Sequence, residues 1–242
     1  MTADNRLRPA IAVIPARGGS KRLPRKNVLP FFGHPIIAHT IRAALQARCF
    51  DRVVVSTEDE EIAEVSRRYG ADIDARPAEL ADDRAGVVDV CVELLTRDAA
   101  VGRTYAALCA LYATAPLRGA DDIRATMALL EPGRCEFALA VTEYDLPPYR
   151  ALRRTDNGSL VPMWPELAFA KSQDVPQLVV NNASTYAVSV PAFLKHRTFT
   201  GPGARGHVMP RGRSTDIDVA QDLEEARHKA SILGWREAGL TS

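Results

Sequence analysis

The chain has 242 residues, 46% hydrophobic and 25% charged, with 31 Lys and Arg against 30 Asp and Glu for a formal net charge of +1. That composition suits a soluble globular chain with a sizeable core, and the near-neutral balance excludes a broadly basic nucleic-acid binder. No apolar run approaches membrane-spanning length, and the polar start MTADNRLRPA lacks the hydrophobic stretch of a signal peptide, so no membrane partner and a cytoplasmic location are expected.

The first apolar run, IAVIPAR (11–17), ends in Pro and Gly and predicts a buried strand. Pro35 then opens a helix with Ile37, Ile41, Ala44 and Leu45 on one face. RVVVST (52–57) predicts a second buried strand, and Ile62, Val65 and Tyr69 follow at helical spacing. ADIDARP (71–77) reads as a third strand before a helix carrying Val88, Cys91, Val92 and Leu95. YAALCALYAT (105–114) and EFALAVTE (136–143) are the fourth and fifth strands, separated by a helix marked by Ile123, Met127 and Leu130. Strands alternating with amphipathic helices predict an α/β fold, a doubly wound, mostly parallel, Rossmann-like sheet. The rhythm breaks over 144–176, a Pro- and Arg-rich stretch with a hairpin-like DNG at Asp156–Gly158. It is expected to leave the single domain (1–242) as an oligomer arm, a sugar lid or both. STYAV (184–188) returns to the sheet, a loop follows over 200–214, and TDIDVAQDLEEARHKASIL (215–233) reads as a short strand entering a helix. The four cysteines, Cys49, Cys91, Cys109 and Cys135, have no metal-type spacing and are expected to be buried free thiols. With a cytoplasmic location expected, the Asn-x-Ser triplets at Asn157 and Asn182 read as coincidental.

The sharpest feature is IPARGGSKRLPRKN (14–27), with Arg17, Lys21, Arg22, Arg25 and Lys26 on a loop directly behind the first strand. In an open α/β sheet, ligands sit where the strands' carboxyl ends open toward loops. Gly18, Gly19 and Ser20 let backbone N–H groups converge into a nest suited to phosphate oxygens, with the Arg17 fork and the Lys26 charge beside it. Neither GxxxxGK[ST] nor GxGxxG is present. Charge alone would equally describe a solvated basic patch; position and glycines favour a polyphosphate site. In DIDVAQDLEEA (216–226), Asp216 and Asp218 alternate on the predicted strand and face the same way. Such a pair suits Mg²⁺ alongside substrate phosphates, or else forms an acidic cluster at a helix N-terminus. Cation cradle and carboxylate pair together predict a nucleotidyltransferase.

The segments PARGGSKRLPRKN, RPAELADDRAG (76–86), LYATAPLR (111–118), KSQDVP (171–176) and DIDVAQDLEEA resemble, in order and over almost the whole chain, the cytidylyltransferases that activate nonulosonic acids. Those enzymes make CMP-sialate, CMP-legionaminate and CMP-pseudaminate. The resemblance implies that CTP and a free 2-keto sugar acid give a CMP-sugar and pyrophosphate, with Mg²⁺ as cofactor. It implies that Arg17 and Lys26 grip the triphosphate and stabilise its developing charge. Ala16, Gly18, Gly19, Ser20, Asn27 and Arg76 would complete the nucleotide site. Asp216 and Asp218 would hold the metal, and Asp218 would also take the sugar hydroxyl's proton.

The sugar side mixes signals. Tyr112 and Ala115 stand where sialate-type relatives have Gln and Ser, and there the chain is closer to pseudaminate enzymes. Asn182 and Tyr186 are closer to the sialate and legionaminate NGAIY pattern, and Val87 replaces a Ser or Thr of many relatives. Lys171 and Gln173 would meet the sugar carboxylate or N-acyl groups, or simply form a polar arm surface. Arg118 is either a structural cap or a ligand. The five histidines lack a Ser or Cys partner, and Trp164 and Trp235 read as packing anchors. A homodimer is implied through the 144–176 arm. The alternatives are a 3-deoxy-manno-octulosonate cytidylyltransferase, a non-catalytic nucleotide-binding relative, and an RNA- or polyanion-binding module. The crowding of acids in TEDEEIAE and QDLEEA speaks against the last.

Overall fold

A computed structural model describes residues 7–77, 80, 86–171 and 173–236. The core begins with β1 (Ala10–Pro15), and a small antiparallel pair, β2 (Pro30–Phe31) and β3 (His34–Pro35), follows the basic loop. Helices and strands then alternate as α1 (Ile36–Ala47), β4 (Arg52–Thr57), α2 (Glu60–Arg68), β5 (Asp72–Ala75), α3 (Val87–Ala100), β6 (Ala107–Leu111), α4 (Ala120–Met127) and β7 (Phe137–Glu143). A hairpin of β8 (Leu152–Arg154) and β9 (Leu160–Pro162) stands apart from the sheet. The chain returns through β10 (Val179–Ser189), α5 (Val190–His196), β11 (Arg205–Val208) and α6 (Ala220–Ile232).

One seven-stranded sheet runs β11-β7-β10-β6-β1-β4-β5. β1 lies parallel to both β4 and β6, and only β10 is antiparallel to its neighbours. β1 carries no polar side chain because both of its faces are covered. Ala10, Ala12 and Ile14 pack with Ile37, Ile41, Ile62 and Ile123 of α1, α2 and α4, while Ile11 and Val13 pack with Cys91, Leu94 and Phe193 of α3 and α5. The period-2 alternation of a strand thus serves two hydrophobic layers, the signature of a doubly wound sheet. A third cluster seats α6 through Leu223 and Ala226 on Phe31, Ile36 and Ile217, which carries the 215–219 segment to the mouth of β1.

Most predicted elements lie where the sequence puts them, with four differences. The 200–214 loop contains the edge strand β11, paired in parallel with β7. Residues 215–219 form no strand; the segment is extended, and Ile217 N–H donates to Thr114 O at 2.9 Å. Leu45 is exposed although it shares a helix with the buried Ile37, Ile41 and Ala44. β10 runs six residues beyond the expected STYAV, through a bulge between Asn181 and Tyr186 where Ala183 is left-handed. All four cysteines are buried and free. The DNG turn closes β8 on β9 with Gly158 at φ 84°, a conformation that glycine adopts without steric cost.

Candidate active site

The basic loop leaves β1 and is tied down at both ends by the neighbouring strand and by itself. Ala16 N–H donates to Ser56 O at 3.0 Å, and Gly18 N–H donates to Glu58 Oε1 at 2.8 Å. The buried Asn27 amide donates back to Arg17 O at 3.0 Å. Across the gap, Lys26 Nζ donates to Asp218 Oδ1 at 2.7 Å and Ile217 O at 3.2 Å, while Arg22 Nη2 donates to Asp218 Oδ2 at 2.7 Å. Asp222, in the first turn of α6, accepts from the Asp218 and Val219 N–H groups at 2.8 and 2.9 Å and so fixes where Asp218 points. The two segments, far apart in sequence, thereby form opposite walls of one cavity of about 430 Å³.

Arg17, Ser20, Lys26, Asn27, Arg76, Tyr112, Asp216 and Asp218 line that cavity. Of the remaining expected nucleotide contacts, Ala16 is buried in the core, and Gly18 and Gly19 do not line the cavity. The 76–86 segment is represented by Arg76, Pro77, Leu80 and Gly86; residues 78–79 and 81–85 lie outside the described residues. The buried Arg76 guanidinium donates to Ser56 O at 2.6 Å and approaches Glu58 at 3.8 Å. Burial pulls its pKa down, and the Glu58 and Asp74 charges oppose that shift. Glu58, Asp222 and Thr114 are contributors that sequence reasoning missed. The only sequence signal for Glu58 was its place at the carboxyl end of the second predicted strand, the loop next to the basic one.

The two aspartates differ. Burial pushes the Asp216 carboxyl above the usual range, with the Thr114 hydroxyl pulling the other way and the Asp218 charge adding to the rise. Its Oδ1 is buried and has no hydrogen-bond partner among the described residues. Burial would also raise Asp218, but the hydrogen bonds and charges of Lys26 and Arg22 outweigh it and hold that carboxyl low. Two hard carboxylates facing one cavity, one with an unpartnered buried oxygen, fit Mg²⁺, which takes its other ligands from phosphates and water. Among the described residues no cluster of three or more His, Cys, Asp or Glu side chains could hold a metal on its own.

Of the residues expected to meet the sugar, Tyr112 lines the cavity while Tyr186 and Asn182 do not. The Tyr186 ring lies against Tyr112, tilted by 54° with centroids 5.5 Å apart, and its OH accepts from the Asn181 amide at 2.8 Å. Burial lifts the Tyr112 hydroxyl to about 12, so it stays a neutral donor. Asn182 is buried, bonded to Ser184 at 2.8 Å and to Ser214 at 3.2 Å. Lys171 and Gln173 are exposed on the arm and do not line the cavity, and Ser172 between them lies outside the described residues. Arg118 is 2% exposed and donates to Ser184 O at 2.8 Å, which makes it a brace between the β6 exit and β10. The arm bears Phe169, 94% exposed, with Leu146, Leu152 and Leu160 also in solvent.

The family model described as cytidylyltransferase matches residues 11–139. The pseudaminic acid cytidylyltransferase of Campylobacter jejuni is 37% identical over 222 residues, covering 90% of this chain and 94% of that protein. The CMP-N,N'-diacetyllegionaminic acid synthase of Legionella pneumophila is 31% identical over 220 residues, covering 88% of this chain and 92% of that one. In three dimensions, a CMP:2-keto-3-deoxy-manno-octonic acid synthetase complexed with CTP superposes with a TM-score of 0.67 at 17% identity, covering 93% of this chain and 99% of that one. At that identity the likeness speaks for the fold.

Proposed function

This chain belongs to the cytidylyltransferase family, and from that premise we propose that it transfers CMP from CTP to a nonulosonic acid of the pseudaminate type. The observation that carries the reading is the facing of Arg17, Lys26 and Arg76 toward Asp216 and Asp218 across one cavity. The choice of pseudaminate rests on the 37% identity to the Campylobacter jejuni protein, and on Tyr112 in the LYATAPLR run.

In this reading the triphosphate lies between the two walls. Arg17 grips its oxygens with a planar fork, and Lys26 exchanges its Asp218 partner for the phosphates. Ser20, Asn27 and Arg76, which line the same cavity, hold the rest of the nucleotide. When bound by Asp216 and Asp218, Mg²⁺ supplies charge neutralisation at the phosphates. The sugar acid sits at Tyr112, whose ring is backed by Tyr186, and Asn182 braces Ser184 and Ser214. Its C2 hydroxyl oxygen attacks the α-phosphorus, and the bond from that phosphorus to the β-phosphate oxygen breaks. Pyrophosphate leaves, and Asp218 accepts the hydroxyl proton once Lys26 and Arg22 have turned to the phosphates. No covalent enzyme intermediate is required, so positioning and electrostatic stabilisation carry the rate.

The protein works as a cytoplasmic homodimer. What supports this is the set of exposed apolar side chains on the arm, which a second copy would cover; the exposed Lys171 and Gln173 would then meet the sugar in that copy's cavity. The test is pyrophosphate release from CTP and Mg²⁺ with pseudaminate, legionaminate and N-acetylneuraminate in separate reactions. Pseudaminate is expected to give the highest kcat/KM; a preference for either other acid would overturn the sugar assignment.

A further inference from the structure

The loop's five cations do not share one task. Arg17, Lys21, Arg22 and Lys26 line the cavity, whereas Arg25 does not. Its guanidinium instead pairs with Asp59 and Glu61 at the start of α2. The second Arg25–Asp59 bond, Nη2 to Oδ1, measures 3.1 Å, so the fork is bidentate on one carboxylate. Arg25 is also left-handed, at φ 57°, a conformation that costs a non-glycine residue about 1 kcal/mol or more and needs outside contacts to hold it. The next residue in the chain is Lys26.

The other end of the loop meets the same corner. A Cβ built on Gly18 would lie 2.9 Å from Asp59 Cγ, so the glycine is there to let the backbone rest on that carboxylate. Gly18 N–H is taken by Glu58, one residue before Asp59. Asp59 itself is fixed in place: its Oδ1 accepts the Ile62 N–H at 3.0 Å as the N-cap of α2, and its own N–H donates to Thr57 Oγ1 at 3.1 Å. Both ends of the phosphate loop are therefore gauged against one carboxylate that belongs to the next strand–helix corner.

We propose that Asp59 is a positioning residue that sets the phosphate loop, acting through Arg25 and through the close approach of Gly18, and that Arg25 serves as this clamp rather than as a phosphate ligand. The proposal rests on the cytidylyl-transfer reading for its kinetic consequence and on the loop contacts alone for its structural one. The acidic run that follows β4 is then the complement of the basic run that follows β1.

The test compares R25M, D59N and the R25M/D59N double variant with the wild-type chain. D59N keeps an oxygen for the Ile62 N–H, so the α2 cap survives while the carboxylate charge that faces Arg25 is lost. Two readouts are taken: kcat/KM for CTP with the sugar acid that the wild type uses, and hydrogen exchange of the 17–26 amides without substrate. A displacement of the loop on the order of 1 Å predicts a loss of about tenfold or more in each single variant, and the double variant should lose no more than the worse single, because both substitutions break one unit. Loop exchange should quicken in all three. Multiplicative losses, wild-type kinetics in either single variant, or unchanged loop exchange would overturn the clamp. If the wild type itself turned over no CTP with any acid, the functional reading would fall, and the exchange of the loop amides would still decide the clamp by the same criterion.

Discussion

Replacing Asp122 by Ala should be among the most damaging single changes outside the cavity. Asp122 is 2% exposed and sits in the first turn of α4, accepting Gly119 N–H at 2.9 Å. It pairs with both arms of the Arg213 guanidinium, the Nη2–Oδ1 bond measuring 3.0 Å, and with His207 Nε2 at 3.1 Å. One carboxylate thus joins α4, the edge strand β11 and the turn at Arg211–Arg213 that leads into 215–218. Removing one partner of a buried pair costs about 3–5 kcal/mol. The Arg213 side chain keeps 29% exposure, so released to water it places the cost near the lower end, about 3 kcal/mol. For a chain of this size that is a fall in Tm of about 6–12 °C. Burial raises the Asp122 carboxyl, but Arg213, the Gly119 N–H and His207 together outweigh it and hold the carboxyl below its usual range. A carboxylate depressed in the folded state stabilises above the unfolded pKa and loses that contribution as pH falls through the folded one. Urea unfolding of wild type and D122A at stepped pH should therefore give a constant gap down to about pH 4 and a narrowing gap below it. A gap under about 1 kcal/mol at pH 7, or one that widens in acid, would refute the reasoning.

Lys26→Met should lower kcat by about 10²–10³ at saturating CTP if the ammonium acts on charge that develops during transfer; an increase in KM alone would reduce it to ground-state binding. Gly18→Ala should raise the KM for CTP about tenfold, since the new Cβ pushes the loop off Asp59; unaltered kinetics would show that the close approach is dispensable. If the arm forms the proposed dimer interface, Phe169→Glu should give a monomer by light scattering where the wild type gives a dimer, with far-UV circular dichroism unchanged; a variant that stays dimeric would locate the interface elsewhere. Burial pushes the Cys91 thiol far up and Cys109 to about 12. Thiol reagents should therefore label the chain only as fast as it opens, and rapid labelling in native buffer would contradict the packing.

How far the structure was legible in the sequence depends on where the deciding contacts lie. Strands β1, β4 and β6 announce themselves as uninterrupted apolar runs because both of their faces are buried. The helices flanking them show the 3.6-residue period of a half-buried surface. β11 carried no such sign: RGHV sits at the sheet's edge with alternating partial exposure, and its strand partner, β7, is more than 60 residues away. The polar first half of β10 was hidden for the same reason, since a bulge breaks its alternation. Asp216 and Asp218 face the cavity as the alternation argument requires, yet without a strand, because Ile217 between them is buried under α6 and a single backbone bond to Thr114 holds the extension. In the sequence the acidic run TEDEEIAE speaks only against a polyanion partner. Nothing local in TEDEEIAE says that Asp59 faces Arg25, a contact set by the parallel pairing of β1 with β4.

The most direct test of the central claim follows the α-phosphorus itself. CTP labelled with ³²P at the α-position is incubated with enzyme, Mg²⁺ and pseudaminate, and the products are separated. The label should move into a CMP-sugar while pyrophosphate is released unlabelled, both only when the sugar acid is present. Label recovered solely as CTP, or as CMP formed without any sugar, would contradict it.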